Sequence, residues 1–123
     1  MTIIKQIQSM VLILMMASLT TGIAHAALTK RISQINNTKV NVWKTIIYPT
    51  KKAQLMMHRH DYDRVVVALT DGLLKVTNSK DQVHYLKLEK GMSYYLKKDP
   101  EGELHVDENM TKHPVSVVVI ELK

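Results

Sequence analysis

The sequence predicts an all-β domain of the sandwich or small-barrel type. About eight short β-rich runs are separated by turn-forming residues at intervals of roughly 8–12 residues, the usual pattern of such folds. No window of residues 27–123 repeats apolar residues with a helical period, so no long helix is expected. The run over residues 64–70 is apolar at odd and even positions alike, which indicates a strand covered on both faces.

Residues 1–26 are expected to be a secretory signal peptide and not part of the fold. Lys5 is the only charge, an apolar run from Met10 to Leu19 follows, and Ala24-His25-Ala26 offers a cleavage site. Spanning a bilayer takes roughly 20 apolar residues, and the chain has no cysteine that could carry a lipid. We therefore expect no stable membrane anchor and a secreted or periplasmic protein after cleavage near Ala26.

The remaining residues are expected to form a polar arm over residues 27–38 and one barrel domain over residues 39–123. Lys5 lies in the leader, which leaves 16 Lys and Arg against 11 Asp and Glu, a net charge of +5. The lysines are scattered, so we interpret them as surface and edge-strand residues and expect no nucleic-acid partner. Adhesion to anionic lipid or polysaccharide is a weaker alternative. Exposed sheet edges would allow a homodimer.

The strands follow in chain order from β-rich runs and the turns between them. A first stretch runs from Val40 to Pro49, and residues 53–57 lead into a histidine segment. Residues 64–70 and 73–77 flank Asp71-Gly72, and since glycine accepts a positive φ, a tight hairpin is predicted there. Further strands are predicted over residues 82–88, 92–96, 103–106 and 115–122.

Two of these segments carry histidines that could act together. His58 and His60 are two residues apart, and side chains at i and i+2 of a strand point to the same face. His105, in a later short strand, could complete a set of three nitrogen ligands for one divalent ion. The alternative is three hydrogen-bonded polar residues that line a barrel without metal.

These segments resemble the two motifs of the single-domain cupins, which are jelly-roll β-barrels. The first motif, His-x-His followed by a glutamate and a glycine, is matched at His58, His60 and Gly72. The second motif is matched at Gly91, Pro100-Glu101-Gly102, His105 and Asn109. The resemblance implies a small cupin-type jelly-roll barrel of about eight strands in which both motifs converge on one divalent metal ion, such as Fe, Mn, Zn, Ni or Cu.

One departure from the first motif leaves the ligand set open. Arg64 or Val65 stands where the family has its glutamate, and the nearest carboxylate is Asp63. Asp63 could supply an oxygen ligand, the three histidines could suffice, or Arg64 could enter the barrel as a cation for an anionic substrate. Tyr62 and Tyr95 are expected in the barrel wall, where a hydroxyl could also orient a ligand.

Two kinds of function fit these residues. One is a metal-dependent enzyme, an oxygenase, isomerase or decarboxylase acting on a small polar molecule. The other is a binding module for a sugar or organic acid, with or without metal. No general base stands out in the sequence beside the proposed site, which slightly favours the binding module.

Overall fold

Eight β-strands in two antiparallel sheets are present in the computed structural model, which describes residues 29–49 and 56–123. The strands are β1 (Thr29–Asn36), β2 (Val40–Ile47), β3 (Arg64–Ala68), β4 (Gly72–Asn78), β5 (Val83–Leu88), β6 (Ser93–Leu96), β7 (His105–Asn109) and β8 (Val115–Leu122). The predicted signal peptide, the first two residues of the predicted arm and residues 53–55 lie outside the described residues.

The two sheets have the strand orders β1-β2-β8-β3-β6 and β5-β4-β7. This arrangement confirms the predicted all-β fold with about eight strands in a jelly-roll barrel. The positions of β2 and β8 agree with the runs assigned from the sequence, and β7 begins two residues later than expected. Among the residues that the structure describes, no helix is long and apolar enough to cross a membrane.

Residues 29–36 of the expected polar arm form the edge strand β1. This strand pairs antiparallel with β2, with a bulge between Ser33 and Ile35, and every one of its residues is exposed. The turn between β1 and β2 is closed by the Asn37 side chain, which accepts hydrogen bonds from the Lys39 and Val40 amides. Because β1 buries neither face, its sequence lacks the apolar alternation that identifies a strand. The homodimer expected from exposed edges stays a prediction.

The predicted hairpin at Asp71-Gly72 is wrong. β3 belongs to the five-stranded sheet and β4 to the three-stranded sheet, so the connection crosses between the sheets. Gly72 is not among the glycines with positive φ. It is required for space instead, because an added Cβ would lie 2.6 Å from Cγ2 of the buried Val115. The Asp-Gly pair marks a close approach of the Gly72 backbone to the Val115 side chain, not a hairpin turn.

The interior of the barrel has two distinct ends. At the closed end, Ala68, Leu88 and Val115 are almost completely buried in one apolar cluster. The inward positions of β3 run from Ala68 through Val66 to Arg64, and this strand leads from the closed end to the opposite, histidine end. Side chains alternate along a strand, so every second residue of β3 points into the barrel. Since these residues change from alanine and valine to arginine, the interior is apolar at the closed end and polar at the histidine end.

Candidate metal centre

His58 and His105 face each other across the histidine end. The His58 amide donates to the His105 carbonyl at 2.8 Å, and the His105 amide donates to the His58 carbonyl at 2.7 Å. In such a hydrogen-bonded antiparallel pair, opposite side chains lie on the same face. The two ring centroids are 4.4 Å apart. Backbone pairing therefore brings the two histidine segments of the sequence together.

His60 is fixed by the backbone and by an aromatic ring. Its amide donates to Asp99 Oδ2 at 2.7 Å, and the Asp99 amide donates back to the His60 carbonyl at 2.9 Å. The imidazole lies parallel to the buried Trp43 ring, with 7° between the planes and 6.5 Å between the centroids. Its centroid is 5.2 Å from that of His58 and 5.3 Å from that of His105.

The loop before β7 sets the position of His105. The Glu103 amide donates to the Pro100 carbonyl, which closes a tight turn, and Gly102 within it has φ +74°. A side chain at this φ would be strained, so the glycine of the second motif has a local structural reason. The Arg59 guanidinium braces the same loop through the carbonyls of Pro100 and Glu103.

The three histidines predicted from the sequence form one group of possible metal ligands. One donor nitrogen from each of them lies within 4.8 Å of the others. Imidazole nitrogens bind divalent ions such as Zn²⁺, Fe²⁺ and Cu²⁺, and three protein ligands leave further coordination positions for water or substrate. In donor type and spacing, the group fits one divalent ion.

Two carboxylates that the sequence analysis missed contact these histidines. Asp107 Oδ2 lies 3.3 Å from His58 Nε2 and 3.7 Å from His105 Nε2. Asp99 Oδ2 lies 3.0 Å from His105 Nδ1. With a proton on Nδ1 donated to Asp99, Nε2 would be the atom of His105 that binds an ion in place of its contact with Asp107, and carboxylates commonly orient metal-binding histidines in this way. Asp107 lies two residues after His105 in the same strand, so strand parity alone could have placed it on the same face.

The charges at the histidine end are strongly coupled. Burial lowers the pKa of His60 to about 4, and the positive charge of Arg64 adds to this effect. The hydrogen bond to Asp107 raises the pKa of His58 despite the opposing effect of burial. Burial acts to raise the pKa of Asp107, but hydrogen bonds from His105 and His58 outweigh it and hold that pKa below its usual range. Near pH 7, His60 is therefore neutral and Asp107 is a carboxylate.

A cavity of about 1370 Å³ connects the histidines to the apolar interior. Its polar wall contains the three histidines, Asp99, Asp107 and Arg64, and its apolar wall is formed by Val66, Leu74, Val76, Leu86, Leu96, Val117 and Val119. An apolar cavity with a few convergent polar groups is the usual form of a small-molecule site. Arg64, which could have stood on the surface, is buried and lines this cavity.

The other candidate residues lie elsewhere. The Asp63 carboxylate accepts hydrogen bonds from the Tyr95 hydroxyl and the Lys98 amide, and Asp63 is not in the group of possible metal ligands. The Tyr95 side chain is 58% exposed and does not line the cavity. Tyr62 and Asp63 line a separate outer pocket of about 340 Å³. Asp107, and not Asp63, is thus the carboxylate in contact with the histidines.

Asn109, the last matched residue of the second motif, has a structural role. Its buried side chain donates to the carbonyls of Ile47 and His113 and accepts from the amide and hydroxyl of Thr111. These bonds tie the end of β7 to β2 and to the loop before β8. They hold the loop that follows β7 at the closed end of the barrel.

The architecture is the cupin jelly roll, and solved structures of that type resemble it. A cupin domain from Bordetella pertussis Tohama I has a TM-score of 0.64 and 26% sequence identity, and the match covers 81% of this chain and 98% of that domain. An RmlC-like cupin family protein from Methanocaldococcus jannaschii, with a double-stranded β-helix fold, has a TM-score of 0.57 and 13% identity, covering 79% of this chain and 82% of its own.

A third similar structure is an iron enzyme. Fe(II)-HppE with the alternative substrate (S)-1-HPP has a TM-score of 0.61 and 8% identity, over 79% of this chain and 51% of its own length. At this identity the similarity concerns the fold alone. The sequence matches no protein-family model, and a search of curated proteins gives no significant match.

Proposed function

We propose that this protein is an exported metal-binding protein in which His58, His60 and His105 hold one divalent ion at the end of a cavity for a small polar molecule. The observation that carries the proposal is the convergence of three imidazoles, one of which is oriented by the Asp99 carboxylate. The ion would be Fe, Mn, Zn, Ni or Cu, since neutral imidazoles accept all of these.

The bound ion would supply Lewis acidity towards an oxygen of the ligand. The protein supplies the remaining properties of the site. Asp99 holds His105 in one orientation, and the packing of His60 on Trp43 limits rotation of that ring. The apolar walls contributed by β3, β4 and β8 would contact the apolar part of a ligand.

Export is supported by the leader alone. A positive residue, an apolar run and Ala24-His25-Ala26 occur in the order of a signal peptide. Expression of the full chain in a bacterium, followed by N-terminal sequencing of the periplasmic fraction, should give a chain that begins near Ala27. A full-length chain retained in the cytoplasm would contradict export and would leave the metal site untouched.

The metal site is tested by elemental analysis of the chain from residue 27 onwards, purified without an affinity tag and incubated with each candidate ion. We expect about one ion per chain in the wild type and none in the His58→Ala/His105→Ala double variant. His113→Ala is the matched control, because His113 is exposed and, within the described residues, forms hydrogen bonds through its backbone carbonyl and not through its imidazole. Equal metal contents in the wild type and the double variant would refute the site.

The contact of Asp107 with His58 favours an enzyme as a second candidate function. If His58 bound an ion through Nε2, Asp107 would lose its contact with His58 and would remain at the cavity wall, where a carboxylate can act as a general base. Oxygenation, isomerisation or decarboxylation of a small ligand would then be possible. Oxygen consumption by the iron-loaded protein with a small diketone or thiol, lost in Asp107→Asn with iron retained, would support catalysis. Tight ligand binding without turnover would support the binding module.

A further inference from the structure

Arg64 is a buried cation in the wall of the cavity. It is the first residue of β3, its side chain shares the inward face with Val66, and it is only 8% exposed. Across the sheet, Arg64 pairs with Leu96 of β6 and with Glu121 of β8. A guanidinium in such a position loses much of its hydration, so it needs hydrogen-bond acceptors or a negative charge from elsewhere.

The protein gives this guanidinium few direct partners, although the carboxylates of Asp99, Asp107, Glu121 and Asp63 act on its charge from more than 4.0 Å away. Arg64 Nη1 donates to the Lys97 carbonyl at 3.1 Å, and within the described residues this is the single hydrogen bond of the side chain. Within residues 29–49 and 56–123, the ion pairs involve other residues, so no carboxylate oxygen lies within 4.0 Å of Arg64. Guanidinium carries five donor hydrogens in a planar fork. Most of these donors have no acceptor from the chain.

The unused donors are open to the cavity. Among the described residues, no side-chain polar atom is both sealed from solvent and without a hydrogen-bond partner. Since Nε and Nη2 of Arg64 have no acceptor among the described residues, they retain accessible surface, and the accessible space beside Arg64 is the cavity that it lines. The buried guanidinium of Arg64 therefore presents its remaining hydrogen-bond donors to the cavity.

Two of the carboxylates around Arg64 already have other partners, whereas Glu121 lines the same cavity without an ion pair to any described residue. Asp99 is bonded to the His60 amide and to His105, and Asp107 contacts His58 and His105. Glu121 is opposite Arg64 in the register with β8, yet the two make no ion pair. An anion that enters with the ligand could therefore bind Arg64 without displacing an existing pair.

Arg59 shows what a structural arginine looks like in the same cavity. Its Nε donates to Asp61 at 2.7 Å, and its Nη1 reaches the carbonyls of Pro100 and Glu103. Two edges of this guanidinium are used to hold the loop before β7. Arg64 differs because, within the described residues, it has one hydrogen bond to a backbone carbonyl and no carboxylate oxygen within 4.0 Å.

We propose that Arg64 is the anion-binding residue of the cavity, and that the ligand is a small molecule with a carboxylate or phosphonate-type head and an apolar body. The fork of Arg64 would bind two oxygens of the head group through parallel hydrogen bonds. Val66 and Leu96, next to Arg64 on the same and the neighbouring strand, would contact the apolar body. This inference deepens the proposed function, because it names the class of ligand for the same cavity.

The test uses three probes that share one apolar ring: benzoate, its neutral analogue benzamide, and phenylphosphonate. Calorimetric titration is performed on the chain from residue 27 onwards, both metal-free and metal-loaded. In the metal-free protein we expect benzoate or phenylphosphonate to bind at least roughly 10-fold more tightly than benzamide, which is the range of a charge-assisted hydrogen bond. The stronger of the two anions identifies the head group.

Three variants assign the effect to Arg64. Arg64→Met should abolish the preference for the anion, and Arg64→Lys should keep part of it, because lysine retains the charge and loses the planar fork. Lys87→Gln, which removes one positive charge outside the cavity, should bind as the wild type does. Thermal unfolding of each variant shows whether it is folded, and if Arg64→Met does not fold, Arg64→Lys decides.

Failure of this inference is distinct from failure of the metal site. Equal affinities of the metal-free wild type for benzoate and benzamide, or an anion preference that stays at its full wild-type size in Arg64→Met or in Arg64→Lys, would overturn the role of Arg64, whatever the metal content. An Arg64-dependent preference in a protein that takes up no metal would support the anion site and refute the metal centre alone.

Discussion

The closed end and the histidine end of the barrel are built by the same strands but bury different side chains, apolar ones at the closed end and ionisable ones at the histidine end. At the closed end, the inward positions carry Ala68, Leu88 and Val115, which are at most 1% exposed and contact one another in a continuous apolar cluster. At the histidine end, the inward positions of β3 and β7 carry Arg64 and His105, both buried despite their polarity. The fold can bury ionisable groups at the histidine end because the apolar cluster at the closed end stabilises the barrel.

The difference indicates which residues carry stability and which carry function. Apolar burial contributes roughly 25 cal/mol per Å² of surface removed from water, whereas a buried ionisable group costs free energy unless it is paired. His58, His105 and Asp107 partly offset that cost among themselves. We therefore expect substitutions at the closed end to lower the free energy of unfolding most, and those at the histidine end to change binding and pH dependence.

The largest effect on stability is expected for Leu88→Ala. Leu88 is 1% exposed at the closed end, and a large-to-small change at such a site costs about 2–5 kcal/mol of unfolding free energy. Urea denaturation measures this loss. Val83→Ala, on the same strand and half exposed, is the matched control and should cost less than about 1 kcal/mol. Similar losses for both variants would show that the closed end is not the stabilising region.

Gly72→Ala should destabilise the protein by about 1–3 kcal/mol, because the new Cβ would lie 2.6 Å from a methyl group of Val115. Val115 is β-branched and completely buried, so it has little freedom to move. Truncating the neighbour removes the clash. The double variant Gly72→Ala/Val115→Ala should therefore lose less stability than the two single losses combined, and simple additivity would contradict the close contact.

The histidine end should give a smaller effect that depends on pH. In the metal-free protein the pKa of His60 is about 4, below its ordinary value of 6.5, so the unfolded chain binds a proton at His60 before the folded chain does. The free energy of unfolding should therefore fall as the pH falls from about 6.5 to about 4, by at most about 3 kcal/mol and by less because His60 is partly exposed.

His60→Gln lacks this titration and serves as the comparison. Over the same pH range, its free energy of unfolding should decline less steeply than that of the metal-free wild type. Leu88→Ala, changed at the closed end, should retain the slope of the wild type at a lower overall stability. A slope unchanged in His60→Gln would contradict the burial of a neutral imidazole.

The sequence predicted most of the fold because the strands of the barrel bury one or both faces. The apolar inward positions of β3, β4 and β8 give patterns that are visible in the sequence. β1 was missed since it buries nothing, and the pairing across Asp71-Gly72 was wrong since a strand pattern does not state which neighbour it will pair with. Burial in the tertiary structure, not the local turn, decided that connection.

The sequence predicted the residues of the candidate site that belong to the two histidine motifs. His58, His60 and His105 came from strand parity and from resemblance, and the structure brings them together. Asp107 was visible by the same parity and was overlooked. Asp99 could not be inferred, because its contacts with His60 and His105 arise from a loop whose path no local pattern defines. The buried position of Arg64 followed from the inward face of β3, while the absence of an ion-pair partner required the structure.

The most direct test of the metal centre is anomalous X-ray diffraction from crystals of the chain from residue 27 onwards, grown with zinc and measured across the zinc absorption edge. We predict one strong anomalous peak per chain, at about 2.0–2.1 Å from a nitrogen of each of His58, His60 and His105. A fully zinc-treated crystal with no peak among these three imidazoles, or with its main peak at the exposed His84 or His113, would contradict the proposal.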